Sequence, residues 1–527
     1  MNLTRLLLRR YRVLIGAWTV LVIALSGATV SGYQTTYRTA EQRRTAVELA
    51  RHNPASTFLY GRLTGPGTPA SMFTWEIGAI VTVLAAVAAV LVAIAVTRAE
   101  EDDGMLELLR SCGLGGAAPL RGALAVLVLT AALWTLGCTA AVGVWTGHTD
   151  GVTWSGAVAF GAVVGLTFLV VAVLAVALAQ VAPSAAGARV LGFTTVGVAF
   201  AIRAVADTRG AGRLNWLTPL GLRATVRPFA ENRWWVLAVY GAVALALAGL
   251  AVALSGRREY GAGLVRRRDR RDTRLIIRSG FGLAERLARR SVIVWTVAVA
   301  CVGTMFAAMG SAVVQQSRDG DLGGFLASQL GTGDPTAAYF ATSGTVIGLT
   351  VSTFAVLCVL RNTQEETAGL TAQVLAAGTR RWAPLAWQVV VTALGSAVVL
   401  VATGALTALV APTAIDGPHV AVRAFGYAVG QWPAATALAG WTALLAGLRP
   451  RLTWLAWIPL IGSGVLALLG PLLGVPARVR DLGVFQHVPD AAAAHPDLWP
   501  LLVLLALAAA AAVLGVAATT RRDLTTG

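Results

Sequence analysis

The chain contains no lysine, so all 42 of its basic residues are arginine. A Walker A loop needs a lysine on the phosphates and Schiff-base chemistry needs a lysine amine, so neither belongs to this chain. Its four cysteines, Cys112, Cys138, Cys301 and Cys358, are too scattered for a disulfide or metal framework. The five histidines, His52, His148, His419, His487 and His495, fall in expected outer loops without zinc-like spacing. With no Ser–His–Asp set and no HExxH motif, the sequence does not read as a membrane enzyme. Acids are scarce inside the apolar runs. Glu76 is expected at the outer end of the second span, and Arg203 with Asp207 near the outer end of the fifth. They read as interface anchors or a local ion pair, with a substrate role as the alternative.

What is abundant is apolar. The chain is 56% hydrophobic and 13% charged, with a mean hydropathy of +0.70, the composition of an integral membrane protein. A net charge of +17 could suggest nucleic acid as a partner, but the arginines collect at expected membrane boundaries, so no nucleic-acid binding is expected. The first apolar run lacks a small-residue cleavage site and is the first of many, so it does not resemble a cleavable signal and none is expected. The Arg, Ala, Gly and Val bias suggests a GC-rich bacterial genome, and hence a bacterial cytoplasmic membrane.

Twelve spans are expected: residues 13–30, 77–96, 122–145, 154–181, 189–206 and 236–254, then 291–312, 344–360, 383–410, 421–447, 453–474 and 499–518. Residues 2–12 form either an interfacial helix or a basic flank of the first span. Between Gly256 and Arg290 lie 12 arginines and four acids, which places this connector in the cytoplasm. An even number of spans on each side then puts both termini inside, although the first outer loop also carries several arginines.

The stretch TRAEEDDGMLELLRSCGLGGAAPL at 97–120 returns as NTQEETAGLTAQVLAAGTRRWAPL at 362–385. A constant offset of 265 carries Glu100 to Glu365, Glu101 to Glu366, Gly104 to Gly369, Gly113 to Gly378 and Pro119 to Pro384. LAERLARR at 283–290 likewise echoes LTRLLLRR at 3–10. The chain therefore reads as an all-α polytopic protein made of two tandem six-span halves, 1–255 and 283–527, joined by a basic linker at 256–282.

Each half is expected to carry an acidic helix on the cytoplasmic side, near 98–112 and near 363–377. In the first, Met105, Leu108, Leu109 and Cys112 share an apolar face while Glu100, Gly104 and Glu107 share another. In the second, Leu370 and Val374 keep the apolar face and Glu365 and Glu366 the acids, but Ala372 stands where the first copy has Glu107. Acidic cytoplasmic loops run against the usual positive bias, so a partner is expected, such as an arginine-bearing groove on a soluble protein. The alternative is a solvated helix end with Glu100 and Glu101 favourably placed in its first turn.

TRAEEDDGMLELL resembles the TR-x-EE-x-x-G-x-x-EL signature of actinobacterial ABC exporter permeases of the polyketide-antibiotic type, the group that includes the tetronasin exporter permease. LNWLTPLG and RPFAENRWW within 214–235 resemble that family too, as do the length and the six-plus-six plan. The resemblance implies a type 2 ABC exporter-like fold and export of lipophilic compounds such as antibiotics or drugs. It implies a separate ATPase, in two copies per permease chain, holding the ATP and Mg, with no cofactor on this chain. It assigns ATPase coupling to Thr97, Arg98, Glu100, Glu101, Gly104, Glu107 and Leu108, and more weakly to Glu365, Glu366 and Gly369. Met105 departs from the family's frequent Arg, and the second copy lacks the TR and EL elements. Twelve spans in two parallel repeats also describe secondary, ion-coupled efflux transporters, which remain the alternative.

Overall fold

The computed structural model describes residues 3–258, 263–264, 279–318 and 334–524, except 37, 38, 40, 42, 45, 46, 49, 50, 52, 53, 64, 105, 106, 108–110, 112–114, 117, 469, 471–474, 494 and 495. The described residues are helical, with no strand among them. They form two compact units, Met1–Arg271 and Asp272–Gly527.

In the first unit a short helix, α1 (Leu3–Arg10), bends at Tyr11 into α2 (Arg12–Ala28). Then come α3 (Pro69–Ile94), α4 (Ala118–Gly143), α5 (Trp154–Val181), α6 (Ala185–Thr208) and α7 (Trp234–Arg257). Leu3 and Leu7 of α1 are buried, and Leu3 packs on Gly122 at the start of α4. This settles residues 3–10 as a packed helix. The centre of the unit is α3 and α5, whose apolar windows are 72% buried, against 22% for α6 and α7. Apolar side chains on the peripheral helices, such as Leu129 and Leu245, point outward, as lipid-facing residues do.

The second unit holds α8 (Gly280–Arg318), α9 (Pro335–Thr367), α10 (Leu370–Ala376), α11 (Ala383–Ala414), α12 (Val420–Val429), α13 (Trp432–Leu448), α14 (Trp457–Leu468) and α15 (Trp499–Thr519). Residues 283–290, the counterpart of α1, here run without a break into the span.

Eleven helices among the described residues are long and apolar enough to cross a membrane. The twelfth segment, expected as one span over 421–447, is instead the pair α12 and α13, interrupted at Gly430 and Gln431. The cause is Pro433. It lacks an N–H and its ring collides with the carbonyl four residues earlier. The first unit has Phe168 at the matching position, and α5 runs unbroken. Gln431 is buried at the break and donates Nε2 to the Phe485 carbonyl at 3.3 Å.

The fourth and sixth spans of the second unit, α13 and α15, approach through small residues. A Cβ added to Gly447 would lie 1.9 Å from the Gly515 carbonyl oxygen, and one on Gly440 would lie 2.4 Å from that of Ala508. Only glycine permits this backbone separation.

Candidate functional site

The paired glutamates of both repeats stand at the base of their unit, the end at which its last helix finishes. They do not belong to a separate acidic helix. Glu100 and Glu101 form the last turn of the helix that begins at Pro69, after a π-helical stretch over Ala95–Ala99, and Glu365 and Glu366 lie in the last turn of α9. Both helices stop the same way. Gly104 and Gly369 each have φ +74°, and their N–H groups donate to the carbonyls of Glu101 and Glu366 at 3.1 and 3.0 Å. That left-handed turn explains the fixed E-E-x-x-G spacing, because a side chain there is strained.

Three of these four glutamates do not face outward, while the Glu365 side chain is 29% exposed. Glu100 and Glu101 are 1% and 7% exposed, and Glu366 is 4% exposed. A buried carboxylate must be paired, and the partners are arginines of this same chain rather than a groove on another protein. Glu100 accepts from Tyr11 Oη at 2.5 Å and pairs with Arg10 Nε at 2.9 Å. Burial, and then donation to that carboxylate, raise Tyr11 above the usual phenol range. Glu101 takes both terminal nitrogens of Arg258, at 2.6 and 2.5 Å, and also meets Arg98 Nη1 at 3.1 Å. Arg98, 1% exposed, donates to the Pro183 carbonyl at 2.9 Å and faces Asp102 across 3.4 Å. Asp102 in turn accepts from the Ala185 N–H, at 2.6 Å, where α6 begins. Thr97 bonds back to the Ala93 carbonyl within its own helix.

In the second unit Arg522 grips Glu366 through both terminal nitrogens, at 2.5 and 2.6 Å. Glu365 pairs with Arg361 at 2.7 Å, and Arg361 also donates to the Leu287 carbonyl at 3.0 Å. Of the residues expected at this site, Glu107 is exposed, Gly104 and Gly369 are half-buried, and Leu108 lies outside the described residues, as do Met105, Leu109 and Cys112. The helix α10 after Gly369 has no buried residue. Leu370 is 49% exposed, and Val374 on the same face is half-buried.

Sequence reasoning missed Arg10, Arg258 and Arg522, which it counted only as boundary charge. A signal was present. GRRE at 256–259 and TRRD at 520–523 each follow the last span of a half.

A second buried polar cluster occupies the far end of the first unit. Glu76 accepts from the hydroxyls of Tyr33, at 2.7 Å, and Tyr60. Arg203 donates to the carbonyls of Phe58 and Leu59 at 2.6 and 2.8 Å, and Arg223 to those of Tyr60 and, at 3.3 Å, Thr74. The two arginines thus cap the C-terminal end of the short helix Pro54–Tyr60. Arg203 and Asp207 make no direct salt bridge. Asp207 instead accepts from Asn215 at 2.8 Å. Burial and the Arg203 charge pull Arg223 down to about 10, against the opposing effect of Asp207. In the second unit Arg423 instead clasps two partly exposed carboxylates, Asp334 at 2.7 Å and Asp490 at 3.0 Å. No group of three or more metal-ligating side chains occurs among the described residues.

Long apolar helices around central ones, with ion pairs confined to the helix ends, are the build of a polytopic membrane transport protein. Residues 277–519 match the family model described as the C-terminal domain of the multidrug efflux system permease Rv1217c. Over 534 residues, 99% of this chain and 95% of the relative, it is 36% identical to the multidrug efflux system permease protein Rv1217c of Mycobacterium tuberculosis (strain ATCC 25618 / H37Rv). The chain belongs to the multidrug efflux system permease family, and is a multi-pass efflux permease of the cell membrane.

Proposed function

We propose that this chain is the transmembrane part of an ATP-driven ABC exporter for lipophilic compounds, energised by a separate ATPase subunit that holds ATP and Mg. Two ATPase copies serve one chain, one for each half. The bases of both halves face the cytoplasm, with both termini inside a bacterial cytoplasmic membrane. The observation that carries this reading is the repeated outlet at the base. A helix anchored by buried ion pairs stops at a left-handed glycine, beyond which Glu107 is exposed in one half and the segment α10 has no buried residue in the other. Such a segment can take a push and pass it into a span. On this reading Gly104, Glu107 and Gly369 lie against the ATPase. Thr97, Arg98, Glu100, Glu101, Glu365 and Glu366 stiffen the span behind them. The closeness of TRAEEDDGMLELL to the tetronasin-type signature supports an antibiotic-like substrate.

The test is efflux of a lipophilic fluorescent dye from cells carrying this chain with and without a candidate ABC ATPase partner. Efflux should require both chains and cellular ATP. Glu76, a buried acid inside a span, favours the secondary-transporter alternative. Efflux by this chain alone, collapsing when a protonophore is added, would establish that alternative and sink the ABC reading.

A further inference from the structure

We propose that Arg258 and Arg522 are positioning residues for transport. Each fastens the last span of its half to the end of the second span, so that the two move as one lever. The inference rests on the ATP-driven reading above.

The geometry is the same in both halves, though the residues are not in strict register. Arg258 follows α7 and Arg522 follows α15, at an offset of 264 where the glutamates keep 265. The register has slipped by one residue and the contact has been kept. Each guanidinium gives both terminal nitrogens to the second glutamate of its pair. Each turns its Nε to the end of the fourth span. Arg258 donates there to Gln180 Oε1 at 2.7 Å, and Arg522 to the Gly447 carbonyl at 3.0 Å. One side chain therefore gathers three spans at the base. The side chains of Glu101 and Arg258 are 3% and 12% exposed, those of Glu366 and Arg522 4% and 17%.

Pulling such a pair apart would strand a buried carboxylate, so displacement of the base moves the three helix ends together. The bidentate fork also fixes the angle between them, which a lysine could not do. Without it, a push on the surface segment would tilt the second span and leave the sixth behind. ATP would then be consumed with little transport.

The experiment uses the full chain with its ATPase in liposomes, recording ATP hydrolysis and dye transport separately. Arg258→Gln with Arg522→Gln should keep the ATPase bound and hydrolysing within about twofold of the parent, while transport per ATP falls at least tenfold. A merely structural pair would lower both together, in step with the amount of folded protein. Because a buried charge left alone can prevent folding, a second variant replaces Glu366 and Arg522 by cysteine, in a chain whose four native cysteines are serine. Bridging the pair with a flexible bifunctional maleimide should restore transport that the unbridged pair lacks. The inference is overturned if the unbridged pair transports normally, or if the bridged pair is inactive with its ATPase bound. Should the parent transport without ATP, the ABC reading fails, and this inference with it.

Discussion

Replacing Gly447 by alanine measures how closely α13 and α15 are packed, and Gly462 supplies the control. Both glycines lie inside helices. The Cβ at Gly447 would come 1.9 Å from the Gly515 carbonyl oxygen, and that at Gly462 would meet nothing within 4 Å. The obstacle at Gly447 is backbone, which no rotamer change removes. Helix propensity favours alanine over glycine by about 1 kcal/mol at either position. Overpacking a tight contact costs about 1–3 kcal/mol. Gly462→Ala should therefore stabilise by up to about 1 kcal/mol, and Gly447→Ala should range from neutral to about 2 kcal/mol destabilising. The propensity term cancels in the comparison, leaving a gap of about 1–3 kcal/mol. At about 2–4 °C per kcal/mol for a unit of this size, the two variants should differ by about 2–12 °C in thermal midpoint. Midpoints in detergent, at one scan rate and with unfolding followed by tryptophan fluorescence, provide the assay. Equal midpoints would refute the close approach. A shift at Gly447 should also disturb the neighbouring latch, since its carbonyl accepts from Arg522.

Two further outcomes follow from the turn and from the far end. Gly369→Ala should cost about 1–2 kcal/mol from backbone conformation alone, because φ is +74° and a Cβ there meets nothing. Gly369→Asn should recover part of that loss in the same thermal assay, and equal behaviour of the two variants would argue against the left-handed turn. Arg223→Met should cost about 1–3 kcal/mol, since it leaves the buried Tyr60 carbonyl without its arginine donor, whereas the Thr74 carbonyl keeps its partner within α3. Hydrogen exchange should then rise first in the helix Pro54–Tyr60, and unchanged protection there would contradict its capping by Arg223.

Much of the architecture is legible without coordinates, because a bilayer imposes simple rules. Apolar runs of sufficient length become helices, and the recurrence of Glu100, Glu101 and Gly104 at Glu365, Glu366 and Gly369 marks the repeat without reference to packing. The break in the fourth span of the second half was legible too, in Pro433, but an apolar run that long reads as one span until the proline is given its steric weight. Absence was informative in the same way. With no lysine, this chain cannot bind ATP through a Walker A loop, whatever its fold.

Tertiary structure decided the meaning of the acids. Helical periodicity gives the face on which Glu100 and Glu101 lie but not what covers it, and their partners stand 89 and 157 residues away at Tyr11 and Arg258. An arginine at the end of a span looks the same in sequence whether it meets lipid headgroups, a partner subunit or a carboxylate of its own chain. The cost of burying a charge selects the last of these, and only the folded chain shows that the carboxylate is buried. The cluster that reads as an outward handle is therefore, for Glu100, Glu101 and Glu366, an inward joint.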